Sequence, residues 1–208
     1  MTGLAPRVLL RPPLPADAAA FLAMVRASRK LHRPWVQPPA DEKAFLAYTQ
    51  RATSERFIGR LVCLRATDEI VGVFHLSEIV RGVFQSAYLS YYGSARHGGQ
   101  GLMREGAWLF LNFAFRELKL HRVEANIQPE NVRSLVLVRA LGFRQEGFSP
   151  RYLKIAGRWR DHERWALLAE EWRASGASRQ SHDQPNRLAH EVTPPSHCAT
   201  AFTSSANL

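Results

Sequence analysis

Between Ser90 and Asn112 the chain reads SYYGSARHGGQGLMREGAWLFLN, an apolar strand that passes through a glycine-rich turn straight into an amphipathic helix. No other stretch restricts the fold as much. Gly98, Gly99 and Gly101 crowd the helix entrance, where the first N–H groups have no intrahelical acceptor and the helix dipole is positive. Bare backbone at such a place favours a bound phosphate. Two familiar phosphate loops fail on residues. A Walker loop begun at Gly93 reaches Gly98 but then meets Gly99 and Gln100, where Lys and Ser or Thr are needed. A dinucleotide fingerprint needs G-x-G-x-x-G near the first strand of a βαβ unit and an acidic residue about 20 positions on. Here the order is G-G-x-G and the loop falls mid-chain.

The surrounding pattern is mixed. Val8-Leu9-Leu10-Arg11 reads as a short strand ended by Pro12-Pro13, and Pro15-Ala16-Asp17 opens a helix to about Ser28 with Ala20, Phe21, Met24 and Val25 as its apolar stripe. The proline-rich stretch Pro34 to Pro39 breaks the chain before a second helix, Asp41 to Arg51. Strands follow at Phe57–Leu64, Ile70–Leu76 and about Val83–Tyr92. After the loop come a helix from Leu102 to about Leu118, a strand His121–Ile127 and a helix Asn131–Leu141 closed by Gly142. A hairpin, Phe143–Ile155 with Trp159–Leu168, turns at Ala156-Gly157. Periodicity alone gives an α/β chain with an antiparallel start.

At 208 residues the chain is long enough for one ordinary core, assigned to residues 1–175. From Gly176 to Leu208 it is rich in Ser, Asn, Gln, Pro and Ala without apolar period, and reads as a disordered tail. The tail's His182, His190, His197 and Cys198 are too widely spaced for a metal site, so no metal is expected. No apolar run approaches the ~20 residues of a membrane span, the N-terminus lacks a secretory pattern, and two Cys make no disulfide framework. A cytoplasmic, reducing setting is expected. The net charge of +10 lies wholly on the folded part, since Arg179 and Arg187 cancel Asp183 and Glu191 in the tail. Such a field favours anionic partners, a polyanionic cofactor or RNA at a ribosome among them. An arginine-rich composition gives the same excess without any such partner.

Several short motifs stand in a fixed order: Arg81-Gly82, Gly98-Gly99-Gln100-Gly101-Leu102-Met103, His121 to Asn126, Asn131-Val132-Arg133-Ser134, Leu141-Gly142-Phe143 and Gly157 to His162. The series resembles the ribosomal-protein N-terminal acetyltransferases of the GNAT superfamily, in the branch acting on an alanine or serine terminus, over roughly Val8 to Trp172. The order β-α-α-β-β-β-α-β-α-β-β is that of the GNAT fold, an α/β (α+β) architecture with a central mixed, mostly antiparallel sheet flanked by helices. The resemblance implies acetyl-CoA as co-substrate, with Gly98, Gly99, Gln100, Gly101, Leu102 and Met103 as the pyrophosphate loop. Gly98 stands where that loop usually has Gln or Arg, and Met103 where it has a small residue.

Acyl transfer from a thioester needs a polarised carbonyl, a neutral amine and a stabilised thiolate. The resemblance puts the first at a strand bulge over Tyr91-Tyr92-Gly93, whose unpaired N–H would face the ligand. For the second, an α-amine titrating near pH ~8 needs only a modest base. Glu124 stands where many GNAT enzymes carry a catalytic carboxylate, though it could equally pair with Arg122 or Arg139, and His162 is the other candidate. For the third, Val138 replaces the Tyr that much of the superfamily uses as general acid. Ser134, on the first helical turn after Asn131, is the substitute donor. Asn131 reads both as helix cap and as a contact to the pantetheine arm. Trp35, after Arg33-Pro34, would wall the acceptor site. The acceptor implied is a protein N-terminus, a ribosomal protein among the candidates, with a small-molecule amine such as an aminoglycoside, polyamine or amino acid as the alternative.

Overall fold

A computed structural model describes residues 5–176; the tail expected to be disordered, apart from Gly176, lies outside them. The elements in chain order are β1 (Val8–Arg11), α1 (Ala18–Ala27), α2 (Arg29–His32), α3 (Glu42–Arg51), β2 (Thr53–Ser54), β3 (Phe57–Leu64), β4 (Ile70–Val80), β5 (Ser86–Gly93), α4 (Leu102–Asn112), β6 (Arg122–Ile127), α5 (Val132–Ala140), β7 (Arg144–Ile155), β8 (Arg158–Leu168) and α6 (Ala169–Ala174). Eight strands form one sheet in the order β1-β3-β4-β5-β6-β8-β7, with β2 beside β3. Among the described strands only β5 and β6 run parallel. The mixed, mostly antiparallel sheet read from the sequence is the sheet observed.

Helices cover both faces, so the central strands are buried on both sides. Phe21, Phe45, Tyr48, Leu61 and Val73 pack beneath α1 and α3. Val62, Phe74, Leu76, Phe110, Leu111 and Val138 pack on the other face beneath α4 and α5. The alternation along β3, with Leu61 to one face and Val62 to the other, follows from the two-residue period of a strand. Gly106 lets α4 lie close against the sheet: a Cβ there would stand 2.8 Å from Val62.

Local chemistry sets the ends. The Asp41 carboxylate accepts the Ala44 N–H at 2.8 Å and starts α3, as a cap should. Gly142, at φ +86°, closes α5. Ala156 and Gly157, both at positive φ, turn the β7–β8 hairpin.

Two readings are corrected, and one helix is added to them. The helix begun at Leu102 ends at Asn112 and continues as a π-turn, Phe113–Glu117. The third strand of the antiparallel series begins at Ser86, leaving Val83 and Phe84 exposed in the preceding turn. The chain after β8 forms α6, whose buried Trp172 indole N–H donates to Asn112 at 3.0 Å.

Candidate active site

β5 is the pivot of the site. On one side it pairs with β4 without a break from Tyr88, opposite Ser77, to Gly93, opposite Gly72. On the other it pairs with β6 only through Ser86, Ala87 and Tyr88. Beyond that point the two parallel strands diverge. The Gln85 carbonyl accepts N–H groups of His121 and Arg122 on the β6 side, while Ser94 N–H donates to Val71 on the β4 side. Backbone groups alternate sides along a strand, so those of Leu89, Tyr91 and Gly93 face the widening gap. The expected bulge at Tyr91-Tyr92-Gly93 is therefore corrected. The register shift on this pair lies at its other end, between Ser77 and Val80, and the open N–H groups arise because the neighbouring strand leaves.

The exit of β5 is clamped from the N-terminal helices. His32 Nε2 donates to the Gly93 carbonyl at 2.9 Å, and Ser28 Oγ accepts the Ala95 N–H at 2.9 Å. Neither residue was singled out from the sequence, although their four-residue separation puts both on one helical face. After a 3-10 turn at Ala95–His97 the glycine loop opens α4. Gly99 and Gly101 hold φ of +76° and +75°. Gly101 is the residue preceding the first helical turn, and Arg104 and Glu105 N–H groups close onto its carbonyl. Leu102 is buried and Met103 packs against Gly72 and Gly93, so both offer only backbone to the loop. Arg7, just before β1, braces it, donating to the Gln100 carbonyl at 2.9 Å and pairing with Glu105. A loop of this shape, with a guanidinium beside it, fits a pyrophosphate.

Both lips of the gap open into a cavity of about 880 Å³. Leu89 to Tyr92 form one lip and Ala125 to Gln128 the other, with Asn131 and Ser134 at the start of α5. Asn131 Oδ1 accepts the Ser134 N–H at 3.3 Å, which satisfies the cap role and leaves its amide group for a ligand. Ser134 Oγ lies 2.5 Å from Tyr91 Oη. Val138, where the tyrosine acid is missing, is fully buried in the core.

The cavity continues to the segment joining α2 and α3, where Trp35, Val36, Pro38 and Pro39 form a wall. Trp35 is thus one of the residues lining the cavity. Among the described residues lining the cavity Asp41 is the only Asp or Glu, and its carboxylate is already committed to capping α3. Arg51, Tyr48 and His75 line the same end. Burial holds His75 neutral, with its pKa down to about 4, and the nearby Arg51 acts in the same direction. Tyr48 Oη, His75 Nδ1 and Asn126 Oδ1 are buried without a protein partner. Their sequence signal is weak, since a His or Asn within an apolar strand more often completes a core.

His162 and Glu124 separate here. His162 is 3% exposed and lines the cavity. Its Nδ1 donates to the Arg160 carbonyl at 3.0 Å, which leaves Nε2 with a free lone pair. Burial lowers its pKa, against the opposing pull of that hydrogen bond and of Asp161 and Glu130. Glu124 lies where β5 and β6 are still paired and does not line the cavity. Arg122 Nε donates to its carboxylate at 2.8 Å, and the same guanidinium reaches Glu146. Glu124, expected from the resemblance as a base, thus sits on an ion-paired strand face outside the cavity lining.

The acetyltransferase (GNAT) domain family matches residues 7–144, and this chain belongs to it. It is an acetyltransferase by family. The probable N-acetyltransferase YjcK of Bacillus subtilis is 30% identical over 169 residues, 77% of this chain and 93% of that protein. The [ribosomal protein uS5]-alanine N-acetyltransferase of Escherichia coli is 41% identical over 104 residues, half of this chain and 54% of that enzyme. The spermidine N(1)-acetyltransferase of Vibrio cholerae is 27% identical over 73% of this chain and 88% of its own length. Among solved structures, Mycobacterium smegmatis RimJ in complex with CoA-disulfide superposes with a TM-score of 0.72 at 27% identity, covering 82% of this chain and 90% of that one.

Proposed function

We propose that this chain transfers the acetyl group of acetyl-CoA to the N-terminal α-amine of a protein, a ribosomal protein being the favoured class. One observation carries the choice of acceptor: the cavity has no free carboxylate among the described residues, since Asp41 caps a helix. A polyamine or aminoglycoside carries several cationic amines, and without carboxylates their desolvation has no compensation. An α-amine titrating near pH ~8 is about two units closer to neutral than a lysine-type amine at ~10.4. Apolar walls at Trp35, Val36, Leu153 and Ile155 suit the start of a peptide. The likeness to the uS5-alanine enzyme supports the protein class.

The roles follow the geometry. The glycine loop Gly98–Met103 receives the pyrophosphate, and Asn131 the pantetheine arm. N–H groups of Tyr91 and its alternate neighbours on β5 stand in for strand pairing and polarise the thioester carbonyl. His162 Nε2 takes one proton from the neutral amine as the N–C bond forms. The C–S electron pair departs on sulfur, to which Ser134 donates a hydrogen bond, and solvent later carries the proton from His162 to the released thiolate.

Two measurements test this. Ser134→Ala is expected to lower kcat by about 10-fold or more with little change in KM for acetyl-CoA, because the hydrogen bond strengthens as charge grows on sulfur. Wild-type turnover would leave Ser134 with a helical role only. The second reading, a small cationic amine, draws on the likeness to the spermidine enzyme. Peptides beginning Ala or Ser should exceed spermidine in kcat/KM at neutral pH by about 100-fold, the gap in neutral-amine fraction. The reverse order would move the protein to that class.

A further inference from the structure

The contact between Tyr91 and Ser134 joins residues 43 positions apart and has no part in the roles given above. Tyr91 Oη lies 2.5 Å from Ser134 Oγ and 3.4 Å from the Ser134 carbonyl. The tyrosine ring is packed on Phe74 with centroids 5.3 Å apart, and Phe74 stacks in turn on Phe110 at 5.5 Å. The phenol is thereby fixed while a serine hydroxyl is free to rotate. A helical serine left alone turns its O–H back to the carbonyl one turn earlier, which would remove it from the cavity.

We propose that Tyr91 is a positioning residue for Ser134: its phenol O–H donates to Ser134 Oγ, occupies a lone pair of that oxygen, and leaves the serine's own proton to point into the cavity at the departing sulfur. The proposal rests on the acetyl-CoA reading above. No proton leaves Tyr91 in this arrangement. Burial holds the phenol up at about 12, against the opposing effect of the Ser134 hydrogen bond, so it remains a donor across the working range and is too weak an acid to protonate a thiolate, whose conjugate thiol ionises near pH ~8.5. The pair thus supplies from β5 and α5 together the donor that Val138 cannot supply.

The test is calorimetric binding of CoA and of desulfo-CoA to the wild type, Tyr91→Phe, Ser134→Ala and the double variant, at pH ~7 and ~9. Phenylalanine keeps the ring packing on Phe74. Tyr91→Phe should bind desulfo-CoA like the wild type but lose about 5-fold of the preference for CoA at the higher pH, the fold-change of one neutral hydrogen bond. In turnover the same variant should lower kcat about 5-fold at unchanged KM for acetyl-CoA. In the Ser134→Ala background the substitution should add nothing. A wild-type CoA preference in Tyr91→Phe, or an equal loss with and without Ser134, would overturn the proposal. Failure of the wild type to bind either CoA or desulfo-CoA would overturn the acetyl-CoA reading on which it stands.

Discussion

Gly101→Val is expected to weaken CoA binding by between ~10- and 100-fold while leaving the protein folded. Gly101 sits at φ +75°, a conformation that costs a β-branched residue on the order of 1–3 kcal/mol. A Cβ there would meet only Arg7 Nη2, at 3.6 Å. That is ordinary contact, so the substitution does not collide with the fold. Its effect falls on the loop, which either abandons the conformation that presents its N–H groups or sets a branched side chain where phosphate oxygens approach. Gly101→Ala should fall between the two. Calorimetry with CoA reads the difference, and an unchanged affinity would mean that the loop does not hold the phosphates.

His162→Gln should lower kcat by about 10²-fold or more, within the range of general-base removal. Glu124→Gln should change it little. Glutamine can retain the hydrogen bond to the Arg160 carbonyl but cannot take a proton. The pH dependence separates the two residues more sharply than the rate does. In the wild type, log kcat/KM should rise with a slope of about one as the α-amine deprotonates toward pH ~8, and with a slope of about two below the His162 pKa. Burial lowers that pKa from 6.5, so the imidazole is a neutral base at pH 7 and is lost as the pH falls beneath 6.5. In His162→Gln the steeper acidic limb should vanish. If it vanishes in Glu124→Gln instead, the base assignment reverts to the carboxylate.

What the sequence disclosed and what it withheld differ in kind. The glycine-rich turn, the Asn131 cap and the Ala156-Gly157 turn are local, set by residues within a few positions of one another, and are legible in the sequence, whereas the order of strands in the sheet follows only from the family resemblance. The gap between β5 and β6 is not legible there. It depends on two strands separated by α4 that pair through Tyr88 and Glu124 and then part, so the open N–H groups were ascribed to a bulge within one strand. Strand position suggests Glu124 as a base and a pairing with Arg122 alike, and does not reveal that Arg122 bridges it to Glu146. The Tyr91–Ser134 contact spans 43 positions, and the clamp of Ser28 and His32 on the β5 exit more than 60. α2 and α6, at four and six residues, are too short for a helical period to emerge.

The central claim is that the amine entering this cavity is a peptide α-amine. A peptide beginning Ala, with an internal lysine, incubated with the full chain and acetyl-CoA and then fragmented in a mass spectrometer, tests it most directly. One acetyl group is expected, on the N-terminal nitrogen, and none on lysine. An acetyl group on the lysine, or an untouched peptide beside acetylated spermidine, would contradict it.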